Sequence, residues 1–191
     1  MARGVEIVML GGALGFGLFE VYRRMVATTA GDEESDAITD TVESMKAQIN
    51  GGWPSGSEPY RGMIEYAAVQ YVVPASILAW LLWKESRYNP AIIDGTKRSG
   101  AGAMGIAQFM PATAREELGS EAAALDPSRA IPGAARYLSK LYRSLGTWDK
   151  ALAAYNWGIG NVQRKGLAAA PAETVDYYTT ILGKSGYGAY A

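Results

Sequence analysis

Between Pro74 and Pro90 the chain reads PASILAWLLWKESRYNP, and its apolar spacing predicts a helix over Pro74–Ser86. At about 100° per residue, Ile77, Leu78, Leu81 and Leu82 cover an arc of roughly 140°, with Glu85 near its middle. A carboxyl group therefore stands where a leucine is expected. Trp80 and Trp83 fill much of the other side, so the helix is apolar almost all round and belongs in a core. A charge there is costly unless something uses it.

Helical periodicity continues on both sides. It predicts helices over Tyr60–Tyr71, Pro111–Leu118, Ser128–Leu145, Trp148–Asn156, Gly160–Lys165 and Ala172–Leu182, several opened by proline or an acidic cap. The irregular piece is NPAIIDGTKRSGAGAMG, rich in glycine and turn-formers, with room for a short hairpin. The expected fold is mostly α, with one long loop or small hairpin beside the Glu85 helix. Loops this long in a compact domain are usually functional.

Upstream, IVMLGGALGFGLF (Ile7–Phe19) is an uncharged apolar run, short of the about 20 residues a bilayer span needs. A membrane-associating segment, a helix docking on protein and a cleaved signal all remain open for residues 1–30. Residues 31–58 read as an acidic linker entering an amphipathic helix, marked by Ile38, Val42, Met45 and Ile49, and ended by NGGWPSGSEP. The main domain is expected over 59–184, followed by a tail, 185–191.

Composition narrows the chemistry. The 191 residues contain no cysteine and no histidine, which removes thiol nucleophiles, Ser-His triads, disulfide scaffolds and the usual zinc ligand sets. No metal or cofactor is expected. Carboxyl groups are left as the first choice for acid-base work at neutral pH. Charge is uneven along the chain: up to Tyr60 there are nine acids and four bases, a balance of −5, whereas Arg61–Ala191 carries ten acids and fourteen bases, +4. The second part suits a weakly attracted anionic polymer. Nucleic acid is not expected as a partner, because no dense basic patch with interleaved aromatics occurs.

A carboxyl surrounded by apolar side chains favours its neutral form, so it can donate a proton near neutral pH. Protonating the leaving oxygen of a glycosidic bond requires such a group. Glu85 also reads as a helix-end glutamate turned to solvent or paired with Lys84 or Arg87, and periodicity leaves both readings open.

Three motifs add to this. ESRYNP, then GAMGIAQFMPATA, then AYNWGIGNV resemble, in order and spacing, the lytic transglycosylases with the soluble-type (SLT) domain, relatives of goose-type lysozyme; ETVDYY resembles the family's closing motif. The likeness covers about Tyr60–Leu182. It implies a lysozyme-like α-helical domain that cleaves the β-1,4 bond between N-acetylmuramic acid and N-acetylglucosamine in peptidoglycan. By resemblance Glu85 is the catalytic acid. Ser86, Gln108, Met110, Tyr155, Asn156, Glu173 and Tyr177 match substrate-binding or cleft positions, with the Tyr155 phenol placed to hydrogen-bond and orient the acid. Each has a plainer reading: core for Met110 and Tyr155, turn chemistry for Gln108, a helix cap for Glu173. Gly102 and Gly105 fit either a close backbone approach beside the sugar or a plain turn.

The sequence departs from the family in three places. Trp157 replaces a small residue, Ala107 replaces a methionine and leaves room in the cleft wall, and the Ile92–Gly102 loop is longer.

The resemblance implies one carboxyl acting as acid and then base, giving a 1,6-anhydro product without water. Inverting hydrolysis would require a second carboxylate about 6.5–9.5 Å away, for which Asp94 is the nearby candidate in sequence, although it also reads as a solvated turn residue. A hydrolytic muramidase of the same fold and a non-catalytic wall-binding or virion assembly protein are the alternatives. The implied partners are peptidoglycan glycan strands, acted on in the periplasm or outside the cell. Residues 5–26 are the candidate contact with a membrane or a virion protein. If that segment spans a bilayer, Arg23 and Arg24 favour keeping the domain on the cytoplasmic side, which suits a wall enzyme delivered by a virion better than one exported normally.

Overall fold

The computed structural model describes residues 52–97 and 100–187, and these are mostly helical. The apolar segment Ile7–Phe19, the acidic amphipathic stretch up to residue 51 and the last four residues lie outside the described region. The helices are α1 (Arg61–Tyr71), α2 (Ala75–Ser86), α3 (Pro90–Ile93), α4 (Pro111–Leu118), α5 (Pro127–Leu145), α6 (Trp148–Trp157), α7 (Ile159–Lys165) and α8 (Ala172–Ser185). Every helix that periodicity predicts in this region is present. The largest difference is at α8, which runs to Ser185 instead of stopping at Leu182.

Proline sets the entries. Pro111 and Pro127 occupy the first helical positions of α4 and α5, and Pro74 and Pro171 precede α2 and α8. At those points the missing N–H has no intrahelical partner to lose.

Helix packing closes a ring: α1 lies against α2 and α5, α2 against α8, α8 against α6, and α6 against α5. The α5 stripe Ile131, Ala134, Ala135, Leu138 and Leu141 is buried at helical spacing, as expected of an amphipathic helix facing a core. Ala151, Leu152, Ala153 and Ala154 are all fully buried. Alanine on several sides of α6 lets its neighbours approach closely. Ile77, Leu78, Leu81 and Leu82 have no exposed surface, so the arc that holds Glu85 does face the core.

The irregular piece differs from expectation. Among its described residues it forms, in place of a hairpin, the short helix α3, capped by the Asn89 side chain, which accepts from the Ala91 N–H at 3.0 Å. A single antiparallel bridge follows at its end, between Met104 and Phe109, with both N–H···O distances 3.0 Å. The turn between them needs left-handed backbone at Gly105 (φ 72°) and Gln108 (φ 48°). Gly105 is required for a reason other than a sugar: a Cβ there would stand 1.7 Å from the Ala124 carbonyl oxygen. The close approach is thus between two backbone segments of the protein. Ala107 is likewise fully buried and belongs to the hydrophobic core. Among the described residues no helix is long and apolar enough to cross a membrane.

Candidate active site

Glu85 lies in the last turn of α2, and the residues after it explain why the helix stops there. Arg87 and Tyr88 are consecutive non-glycine residues in the left-handed region, at φ 54° and 52°. Such backbone is disfavoured for L side chains and persists only when surroundings enforce it. Ser86 and Tyr88 supply that enforcement. The Ser86 hydroxyl donates to the Leu82 carbonyl at 3.0 Å and accepts the Tyr88 N–H at 3.2 Å. The Tyr88 phenol crosses to the Ala79 carbonyl, 2.8 Å, and its ring stacks on Tyr60 at 5.6 Å. The Arg87 guanidinium lies over Trp83, 3.5 Å from the ring centroid.

Ser86 thus serves the end of α2. It is fully buried and its hydroxyl is engaged by its own chain. Replacing Tyr88 by Phe is expected to destabilise the fold by about 1–2 kcal/mol, since the buried Ala79 carbonyl loses its side-chain donor; urea unfolding measures it.

Glu85 is partly exposed as a residue, with its carboxyl turned inward. Tyr177 of α8 donates its phenol O–H to Glu85 Oε1 at 2.5 Å. Burial raises the Glu85 pKa to about 7 from its ordinary 4.5, against the smaller lowering effects of the Tyr177 hydrogen bond and the Lys84 charge. With Oε1 held by Tyr177, the proton of the neutral acid belongs on Oε2. Burial, with the Glu85 charge second, raises the Tyr177 and Tyr155 phenols well above their ordinary value, so both remain donors.

Tyr155 differs from expectation in its partner. Its hydroxyl donates to the Ala107 carbonyl at 3.1 Å, while Tyr177 is the phenol bonded to Glu85. Tyr155 still stands close enough for the Glu85 charge to act on it. Its hydrogen bond thereby ties α6 to the turn that carries Gln108.

That turn holds the next two candidates. The Gln108 side-chain N–H and backbone N–H both donate to the Gly105 carbonyl, at 2.9 and 3.2 Å, so the amide nitrogen serves the turn. Met110, just before α4, is 45% exposed, unusual for so large an apolar side chain.

Asn156 is exposed at the end of α6, and its side-chain oxygen accepts from the Thr174 hydroxyl of α8 at 2.7 Å. Glu173, in the first turn of α8, is exposed. Trp157 is half-buried, with the Lys165 ammonium 5.2 Å from its ring. Asp94 is fully exposed, and its carboxylate is engaged by the Thr96 N–H and hydroxyl, both at 2.8 Å, which hold its pKa below the ordinary value. It is a turn residue.

Thr174 and the Lys84–Asp176 pair escape sequence reasoning, because their contacts join helices far apart in the chain. Spacing within one helix carries no trace of them.

The site is thus a partly buried carboxyl at a helix end, held by a phenol within a ring of helices. The family model of the transglycosylase SLT domain matches residues 62–176, and the chain belongs to that family. Among curated proteins it is similar to the membrane-bound lytic murein transglycosylase F 1 of Alkalilimnicola ehrlichii, 37% identical over 112 residues, covering 54% of this chain and 21% of that protein. It is also similar to a transglycosylase of Enterobacteria phage PRD1, 36% identical over 104 residues, covering 54% of this chain and 37% of that protein. The likeness thus spans well under half the length of either relative.

Proposed function

We propose that the protein is a peptidoglycan lytic transglycosylase in which Glu85 is the single catalytic acid and base. The observation that carries this reading is the Glu85 carboxyl itself: its pKa stands at about 7 by burial while Tyr177 fixes its orientation. Glu85 protonates the oxygen bridging N-acetylmuramic acid C1 and N-acetylglucosamine, and that C1–O bond breaks. The resulting carboxylate then takes the proton of the muramic C6 hydroxyl as its oxygen bonds to C1. The two products are a 1,6-anhydromuramic end and a free N-acetylglucosamine hydroxyl, and no water is consumed.

The groups that shift Glu85 are burial, Tyr177 and Lys84. None is a second carboxylate, and Asp94 is engaged in its own turn. These features favour transglycosylation over an inverting hydrolysis. Gln108, Met110, Asn156 and Glu173 are the proposed glycan contacts, with Trp157 beside them as an additional stacking surface. Both curated relatives are named as transglycosylases, one of them membrane-bound and the other from a phage; these names support action at the cell wall, with virion delivery as one route.

Mass spectrometry of purified sacculi digested with the protein tests the reading. Muramic ends lacking one water are expected, and fully hydrated ends throughout would replace it with a muramidase. Because the first step needs neutral Glu85, the rate should fall as pH rises through about 7. Tyr177→Phe removes a hydrogen bond that lowers this pKa, so the alkaline limb should move upward. The maximum rate should drop about tenfold or more, as loss of a bond worth about 1.5–3 kcal/mol implies.

A further inference from the structure

Two side-chain pairs join α2 to α8 at neighbouring positions. Glu85 meets Tyr177, and Lys84, the residue before, meets Asp176, the residue before Tyr177, at 2.5 Å. The members of the second pair differ sharply in exposure: the Lys84 side chain is 15% exposed, the Asp176 side chain 68%. A mostly covered ammonium thus sits one residue from the candidate acid, and its counter-charge reaches it from the solvent side. Asp176 is itself held by the Thr180 hydroxyl, 3.2 Å from its other oxygen.

We propose that Asp176 is a positioning residue for the reaction: it draws the Lys84 ammonium toward α8 and balances its charge, so that Glu85 works beside a neutral pair and not beside a bare cation.

An unbalanced cation acting on a carboxyl favours the carboxylate over the acid, and Lys84 already acts on Glu85 in that direction. The other groups around Glu85 do not duplicate the balancing role. From α8, Tyr177 stays a neutral donor; from α6, Tyr155 is neutral and bonded to Ala107, with Tyr137 of α5 beyond it. On α1, Arg61 and Glu65 pair with each other at 3.0 Å, both half-exposed or more. Arg87 lies over Trp83 and adds a second positive charge that acts on Asp176. Loss of the Asp176 charge therefore leaves the Lys84 ammonium, which acts on Glu85, without its carboxylate partner. The same pair fastens the α2 end to the α8 segment that presents Tyr177, so its charge and its geometry act on one side chain.

The inference rests on the proposed role of Glu85 for its kinetic readout, and its test is arranged to separate the two. The pH–rate profile on sacculi is measured for wild type, Asp176→Asn, Lys84→Met and the double variant. Simultaneously the Glu85 side-chain carboxyl is titrated by carbon NMR in the full-length chain. Asp176→Asn should move the alkaline limb and the titration midpoint down by roughly one pH unit. Lys84→Met should move both up, and the double variant should return them toward wild type. A limb and midpoint left in place by Asp176→Asn, with only an even loss of rate at all pH values, would reduce the pair to a structural clamp and overturn the proposal. If Asp176→Asn does not fold, Lys84→Met decides by the same criterion, an unmoved midpoint counting against. Should no anhydro product form at any pH, the proposed activity fails, while the NMR midpoints still decide whether the pair governs Glu85.

Discussion

Glu85→Gln should abolish lysis of sacculi while making the protein more stable at neutral and alkaline pH. Glutamine keeps the shape and still accepts from Tyr177, but it has no proton to give, so at least about a 10²–10⁴-fold loss of rate is expected. The stability gain follows from linkage. The folded protein holds the Glu85 proton more tightly than the unfolded chain, with a pKa of about 7 against 4.5. Its contribution is therefore fully present below pH 4.5 and is lost as pH rises through about 7. By pH 8 the wild type bears a disadvantage of about 3 kcal/mol that the glutamine variant lacks. Denaturant unfolding at pH 4 and pH 8 checks it: the two proteins should match at the first and diverge at the second, with the variant more stable. Equal stability at pH 8 would mean that the carboxyl is ionised in the fold without cost, and retained lysis would remove Glu85 from the reaction altogether.

Gly105→Ala should have the largest structural effect of any single methyl addition in the domain. Its φ of 72° is strained for alanine, and the added carbon would stand 1.7 Å from the backbone oxygen of Ala124, which cannot turn away as a side chain can. A loss of about 4 kcal/mol or more is expected, in the range reserved for backbone strain combined with core overpacking. The effect should reach the site as well. The turn at Gly105 carries Gln108, and its Ala107 carbonyl receives the Tyr155 phenol. Thermal unfolding gives the first quantity. Residual activity of the folded fraction at low temperature gives the second. Gly102→Ala is the matched control, because no atom lies within 4 Å of the carbon it would add, so only the backbone term applies.

These two positions show where sequence is informative. Glu85 stands out because a lone charge interrupts an apolar arc, and that arc is real: its four aliphatic members are fully buried. Helix positions were legible for the same reason, with proline marking several entries. The Gly105 requirement was visible as a glycine but not as a collision with Ala124, since the partner lies in a separate 3-10 turn, Ala122–Leu125, that no periodicity announces. The motif ESRYNP drew attention to Ser86 as a neighbour of the acid. Only the three-dimensional arrangement reveals that Ser86 and Tyr88 hold the left-handed break that ends α2. Which phenol reaches Glu85 was also illegible, because Tyr155 and Tyr177 both follow it at a distance and the choice depends on how α6 and α8 pack.

Tyr177 comes 92 residues after Glu85, which has a meaning for the cell that makes the protein. A nascent chain that has left the ribosome as far as α2 carries an ordinary hydrated carboxylate, unable to protonate a sugar bridge. Only when α8 emerges and docks can Tyr177 hold it. The carboxyl thus gains its phenol partner only after α8 has been made.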